Sequence, residues 1–309
     1  MRQLLMEASL PEEFRLFSRG KVRDTFFIPS EMVDGQEDLL LQVATDRVSA
    51  LNVKLKTGIP DRGKVLVGLT AFFAQAVTSI KRPLFNGIKT HIVEPDFDRF
   101  PKPIRDIESL RGRSLIVRRH LVIPIESVVR FRLTGTGWKD YQRTGLIFGH
   151  GAPEGTKEWD PVSEFACWTP TMKSANDEPL LEDMRSLIFN HAMMGHMRQM
   201  SIAVMKKISE LASQAGFELI DGKLEWGINR ANDLILIDEW GTPDACRWVT
   251  KDSLESGKPV SYDKDPIRRW LQPIVTKGGK VPGIPDEIVE QVHDRYLRLY
   301  ELVTGQKIT

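Results

Sequence analysis

Apolar positions along the chain recur at two periods, and the switches between them predict its elements. Residues 15–30, beginning Arg15-Leu-Phe-Ser-Arg-Gly20, predict two strands about a turn at Gly20, closed off by Pro29, Asp34 and Gly35. Leu39 to Ala44 is a continuous apolar run, the mark of a buried strand, and it delivers Thr45-Asp46-Arg47. From Arg62-Gly63 to about Thr78 the period lengthens to that of a helix, with Leu66, Leu69, Phe73 and Val77 on one face. Ser114 to Val117 and residues 120–134 predict further strands, the second carrying Glu126 and Arg130. Gly135 to Lys173 loses periodicity and predicts mostly loop, of the length that usually serves a site or a lid. A long helix is expected from about Glu182 to Ala215, capped by Gly216, with Met193, Met197, Met200, Val204, Ile208 and Leu211 as a core stripe. A last helix is expected from Pro285 to Gly305.

The densest chemistry lies between these helices. Phe217 to Gly227 and Leu234 to Arg247 are strand-like runs joined by Asn229, Asn232 and Asp233, so they predict a β-hairpin. Alternation puts Asp221, Lys223 and Glu225 on one face, with Leu234, Leu236 and Asp238 sharing a face of the partner. A register with Lys223 opposite Asp238 and Glu225 diagonal to it would converge two carboxylates and a lysine. Such a group suits Mg²⁺ carried with phosphates, or else a solvated face laced with salt bridges.

Composition narrows the classes. The 309 residues suffice for one large domain or two lobes, and 41% hydrophobic with 28% charged residues is an ordinary globular balance. Lys+Arg 43 against Asp+Glu 42 points to no nucleic-acid surface. No apolar run is long enough to span a bilayer, and the first residues lack a signal pattern, so no membrane role is expected. Cys167 and Cys246 form neither a disulfide framework nor a zinc ribbon, which fits a cytoplasmic location. His191 and His196 miss the i,i+4 spacing of a helical metal pair.

Two further segments carry candidate chemistry. Gly20-Lys21-Val22-Arg23 sets a turn beside two cations that share a face, able to cover a polyphosphate or to stand as an exposed basic strand. Neither a P-loop nor a dinucleotide-binding glycine pattern is present. Glu126 and Arg130 share a strand face just before Thr134-Gly-Thr-Gly137. There Glu126 could meet an amino group, and Arg130 with the glycine amides could cradle an anion; the alternative is a Glu126–Arg130 pair along the strand.

Taken in order, these segments resemble the phosphoribosylaminoimidazole-succinocarboxamide synthase (SAICAR synthetase) family. The matching motifs are Arg19-Gly-Lys-Val-Arg-Asp24, Ala44-Thr-Asp-Arg-Val-Ser-Ala50, Gly58-Ile-Pro60, Val122-Ile-Pro-Ile-Glu-Ser-Val-Val-Arg130 and Thr134-Gly-Thr-Gly-Trp-Lys-Asp-Tyr141. They continue with Thr169-Pro-Thr171, Asp221-Gly-Lys-Leu-Glu-Trp-Gly227, Asp238-Glu239, Thr242-Pro-Asp244 and Tyr262-Asp-Lys264. The resemblance implies an α+β fold of two lobes, an N-terminal antiparallel β lobe over 1–118 and a larger α/β lobe over 119–309, with ATP in the cleft between them. It implies a ligase that activates carboxyaminoimidazole ribotide as an acyl phosphate and joins it to L-aspartate, using ATP and Mg²⁺. Site roles follow by resemblance. Gly20, Lys21, Arg23 and Arg119 would bind ATP together with Glu225 and Asp238, which would also hold Mg²⁺. Lys223, Asp221 and Asp177 would serve catalysis. Glu126, Arg130, Thr136, Arg247, Lys264 and Ser49 would bind substrate.

The chain also departs from the family pattern. Ser49-Ala-Leu-Asn52 stands for Ser-Ala-Phe/Tyr-Asp, Asn176-Asp-Glu178 for His-Asp-Glu, and Asp221-Gly-Lys223 for Asp-Thr-Lys. Pro243-Asp-Ala-Cys-Arg247 stands for Pro-Asp-Ser-Ser-Arg, and Gly135-Thr136 for Gly-Ser. Asn52 and Asn176 each lose a titratable group, so a paralogous ligase taking another amine or azole carboxylate is one alternative. A nucleotide-binding regulator without activity is the other, and the intact Lys223, Glu225 and Asp238 argue against it.

Overall fold

In a computed structural model, the chain is described over residues 4–82, 85–163, 166–173, 179–180 and 190–308. The first apolar runs build one antiparallel sheet from β1 (Leu16–Arg19), β2 (Arg23–Phe27) and β3 (Leu39–Ala44), joined later by β6 (Ile92–Glu94) and β7 (Ser114–Arg118). Its order is β1-β2-β3-β7-β6. Between β3 and β6 the chain makes a small hairpin, β4 (Ser49–Ala50) and β5 (Val53–Lys54), and then helix α1 (Arg62–Thr78). The hairpin turn, Leu51 and Asn52, has φ of 50° and 61°, the left-handed pair that a tight two-residue loop requires.

The second sheet is built around one long strand. β8 (Leu121–Arg130) and β11 (Phe217–Ile228) pair antiparallel, and the far edge of β11 is shared by β12 (Leu234–Ile237) and β13 (Cys246–Thr250). Short strands β9 (Cys167–Trp168) and β10 (Thr171–Met172) close the other edge of β8. Helix α2 (Gly135–Thr144) leads into that edge, and α3 (His191–Gln214), α4 (Asp265–Thr276) and α5 (Asp286–Thr304) complete the fold. The architecture is α+β, as the resemblance implies.

Two corrections concern elements. The stretch from Gly135 contains a helix where loop was expected. Its two glycines weaken the helical signal, but Trp138 and Tyr141 stack at 5.7 Å and pack on the buried Leu133, Ile147 and Val162, and Gly145 ends the helix at φ 73°. The run Leu234 to Arg247 is two strands, because the chain breaks away after Ile237 and rejoins β11 at Cys246. The methionine helix is described only from His191, and residues 181–189 lie outside the described residues. Met197, Met200, Val204 and Ile208 are buried as expected.

The two largest cores do not divide as the chain does. A smaller core lies on the first sheet, around Phe26, Leu41, Val43, Phe100, Ile104 and Ile116. The larger one gathers Leu66, Leu69, Phe73 and Val77 of α1 with Val204 and Ile208 of α3, Leu224 and Trp226 of β11, and Tyr296 and Leu299 of α5. Helix α1 thus lies in the first part of the sequence and packs in the second core. Its start is pressed against β3, where a Cβ on Gly63 would fall 2.2 Å from the Ala44 carbonyl oxygen. Asp46 Oδ1 accepts from the Gly63 N–H at 3.1 Å and caps the helix from a distance. Among the described residues no helix is long and apolar enough to cross a membrane.

These contacts set opposite signs for two glycine substitutions. Gly63→Ala should destabilise by about 1–3 kcal/mol, because backbone must shift to admit the methyl group. Gly195→Ala, inside α3 with nothing within 4 Å of the added Cβ, should stabilise by about 0.5–1 kcal/mol. Urea midpoints of the two variants check both signs.

Candidate active site

Between the sheets opens a cleft of about 770 Å³. One wall carries Gly20, Lys21 and Arg23 of the β1–β2 turn and Ser49 of the small hairpin; the other carries Glu126, Lys223, Glu225 and Asp238; Arg119 and Lys264 also line it. Sheet pairing explains the second wall. Glu126 sits directly opposite Glu225 in the β8–β11 ladder. Two carboxylates so placed repel unless a cation lies between them. Lys223, two residues along β11, supplies it: its ammonium donates to Glu126 Oε1 at 2.6 Å and to Glu225 Oε1 at 3.2 Å. The Lys173 ammonium donates to the other Glu225 oxygen. Burial works against the Lys223 charge, but Glu225 and Glu126 outweigh it and raise its pKa. Burial likewise opposes the Glu225 carboxylate, and Lys223 and Lys173 bring its pKa below the ordinary value.

The expected register is off by one residue. Glu225 lies opposite Ile237, and β12 ends there, so Asp238 pairs with nothing on β11. Asp238 instead turns into the left-handed region at φ 68°. Its carboxylate reaches across the cleft to the Arg23 guanidinium, which also holds Glu239 at 2.9 Å. Burial, assisted by repulsion from Glu225 and Glu239 and opposed by Arg23, raises the Asp238 carboxyl to about 6. Arg23 is held charged, since Asp238 and Glu239 overcome its own burial. The alternative pairing of Glu126 with Arg130 does not form: the donor to Glu126 is the Lys223 ammonium of the next strand.

A second cluster lies two residues away on the same strand face. Asp221 is opposite Arg130 on β8 and opposite Arg247 on β13. Its Oδ2 accepts from Arg130 Nη1 at 3.2 Å and from Arg247 Nη1 at 3.0 Å. Arg130 also donates to Thr169 Oγ1 at 2.9 Å and to Thr136 Oγ1 at 3.2 Å. A Cβ on Gly135 would sit 3.0 Å from Arg247 Nη2, so the bare backbone there lets the guanidinium lie against the start of α2. The structure therefore brings Arg130, Thr136, Asp221 and Arg247 together, but none of the four lines the 770 Å³ cleft. Asp177 lies outside the described residues, as does Asn176.

Other residues at or beside the cleft were assigned no role from the sequence. Asp244 accepts from Arg62 Nη2 and Lys264 Nζ, each at 2.7 Å, and from the Tyr296 hydroxyl at 2.9 Å. Despite burial, Arg62 and Lys264 hold its carboxyl well below the usual range. A charged residue heading an apolar helix was the only hint of Arg62. Lys173 follows a two-residue strand too short to read by period. His91 lines the cleft with its pKa pushed down to about 3, by burial and then by Arg23.

A strand that carries a carboxylate–ammonium cluster beside a paired-arginine cluster forms a site suited to anionic ligands. Comparison with known proteins identifies the class. The family model described as SAICAR synthetase matches residues 16–283. A phosphoribosylaminoimidazole-succinocarboxamide synthase of Thermodesulfovibrio yellowstonii is 35% identical over 310 residues, 99% of this chain and 100% of the relative. The Schizosaccharomyces pombe enzyme of that name is 33% identical over 98% of each chain. Among solved structures, the SAICAR synthase of Saccharomyces cerevisiae complexed with SAICAR superposes with a TM-score of 0.81 at 30% identity, covering 99% of each chain. A SAICAR synthetase in complex with ADP, 21% identical over 96% of this chain and 100% of its own, shares the fold with a TM-score of 0.64. The chain belongs to the SAICAR synthetase family, carbon–nitrogen ligases of purine biosynthesis.

The Asp221 cluster yields a direct test. Asp221→Asn leaves two largely buried guanidinium groups sharing no counter-charge, and should cost about 3 kcal/mol of stability. Inorganic phosphate should then raise the melting temperature of the variant more than that of the parent. Thermal melts with and without phosphate measure the difference.

Proposed function

We propose that this protein joins L-aspartate to carboxyaminoimidazole ribotide at the expense of ATP, with Mg²⁺, through an acyl phosphate. The observation that carries the reading is the Glu126–Lys223–Glu225–Asp238 cluster, which faces the Gly20–Arg23 turn across one cleft. The S. cerevisiae relative, solved with SAICAR, supports the identity of the product. In this reading the turn and Arg23 cover the ATP phosphates, and Arg119 stands beside the nucleotide. The ribotide carboxylate oxygen attacks the γ-phosphorus and ADP leaves. Lys223 neutralises charge on the phosphoryl group in flight. The aspartate amine then attacks the acyl carbon and phosphate departs with the C–O bond pair. Ser49, Lys264 and Glu126 line the space left for the ribotide and the amine, and Arg130, Thr136 and Arg247 supply donors for the ribotide phosphate, with Asp221 holding the two arginines in place. A catalytic role for Asp177 is proposed on the resemblance alone. Binding then amounts largely to exchange: substrate anions take over cations that carboxylates hold in the free protein.

The donor set fits Mg²⁺. Glu225 and Asp238 are hard oxygen ligands, and burial, with repulsion from Glu225 and Glu239 added, disfavours the Asp238 carboxylate charge, which a cation would stabilise. Among the described residues no group of three or more His, Cys, Asp or Glu could hold a metal alone. That accords with an ion that arrives with phosphates and takes one or two protein carboxylates. When bound, Mg²⁺ would neutralise phosphate charge. We divide the chain functionally at 118/119, where Arg119 and His120 connect the two sheets. With no disulfide joining Cys167 and Cys246, we place the reaction in the cytosol.

ADP release should require ribotide and aspartate together with ATP, and a panel of amines should show aspartate preferred. Preference for another amine would assign a changed specificity to the positions of Asn52 and Asn176. Only ionised Asp238 binds a cation, and its carboxyl titrates at about 6. Apparent Mg²⁺ affinity should therefore fall as pH drops through 6 and level off above it. Asp238→Asn should lower turnover by about 10²–10³ and flatten that dependence. Initial rates in Mg²⁺ titrations across this pH range decide it.

A further inference from the structure

Arg47 takes no part in the chemistry above, yet every donor of its guanidinium is used. Nη2 donates to the Gly20 carbonyl at 3.2 Å and to Asp24 Oδ1 at 2.7 Å. Nη1 donates to Asp24 Oδ2 at 3.1 Å and to the Met6 carbonyl at 2.7 Å. Nε donates to the Lys21 carbonyl at 3.3 Å. The next carbonyl, that of Val22, accepts from the Thr45 N–H at 3.0 Å and from its hydroxyl at 2.8 Å. The carbonyl of Arg23 closes the turn by accepting from the Gly20 N–H at 2.7 Å.

Four successive carbonyls of the turn are thus claimed by donors of the protein, three of them from the Thr45-Asp46-Arg47 segment. The amides of Lys21 and Val22 donate to no acceptor among the described residues. Carbonyl oxygens repel a phosphate and amides attract it, so a turn that receives phosphate must hold the first away and leave the second available. Asp24, fully buried, keeps the arginine in place: it also accepts from the Ala8 N–H at 2.9 Å and lies 3.3 Å from Arg19 Nε.

We propose that Arg47 is a positioning residue for nucleotide binding, fixing the Gly20–Val22 carbonyls away from the cleft so that the turn presents its amides and the Lys21 and Arg23 side chains to phosphate. The proposal rests on the reading of this turn as the phosphate cover. Lysine cannot replace the fork, since one ammonium cannot span two carbonyls, a carboxylate and the Met6 carbonyl.

Calorimetric titration with ADP and steady-state kinetics on Arg47→Lys test it. ADP affinity should fall and KM for ATP should rise by at least about tenfold, the loss of charge-assisted hydrogen bonds. KM for the ribotide and the amine should stay within about twofold. Thr45→Val, which removes only the hydroxyl bond to Val22, should show the same selective effect at smaller size. Glu7→Gln, which weakens the Arg19 contact of the N-terminal segment and removes no hydrogen-bond partner of Arg47, should bind ADP normally. Equal ADP affinity in Arg47→Lys and the parent overturns the positioning role, as does an equal loss for all substrates. If the parent itself binds no ADP, the phosphate-cover reading falls and the proposal falls with it.

Discussion

Charge compensation along the strand Phe217–Ile228 governs this fold. Asp221, Lys223 and Glu225 project from one face of it, in an interior where an unpaired charge costs several kcal/mol. Each is answered by a residue brought alongside through strand pairing. Arg130 and Arg247 flank Asp221 from the two neighbouring strands, and Glu126 faces Glu225 with the Lys223 ammonium between them. The strand can carry so much charge only because both its neighbours are fixed in register. That register is maintained in turn by the apolar residues on its other face, Leu224 and Trp226 among them, which are wholly buried in the larger core.

The same constraint ties the two sheets into one site. Arg23 leaves the first sheet and finds its counter-charges, Asp238 and Glu239, on the second. Helix α1 belongs to the first part of the chain and packs among the helices of the second, while its own Arg62 reaches Asp244. The segment at His91 bonds to Leu236 on one side and to Arg118 on the other. With packing, hydrogen bonds and ion pairs all crossing the cleft, its walls have a defined separation, and that is what positioning catalysis demands. The cations of the cleft are already oriented by its carboxylates.

Much of this was legible in the chain. The helix at 62–78 and the last helix show a helical period, and the run Leu39–Ala44 is apolar throughout because it is covered on both faces. The charged face of the strand Phe217–Ile228 was legible too, since an alternation of Asp221, Lys223 and Glu225 on an otherwise apolar strand has no packing reason to exist. The helix Gly135–Thr144 was not legible, because its stability comes from contacts with Leu133, Ile147 and Val162 and not from its glycine-rich sequence.

What the sequence determined by itself is local: which runs are strands, where the turn at Gly20 falls, and which charged residues share a face. These follow from backbone geometry over a few residues. Which charge meets which was decided only by tertiary structure. Asp238 missed its expected partner Lys223 because the strand Leu234–Ile237 pairs one residue out of the expected register and stops there, where the backbone turns left-handed, and no pattern of side chains encodes that break. Lys173 and Asp244 came to line the cleft, with Arg62 paired behind Asp244, only through contacts between segments far apart in sequence. Coulomb energy depends on distances of a few ångströms, and those distances exist only once the two sheets and the helices between them have packed.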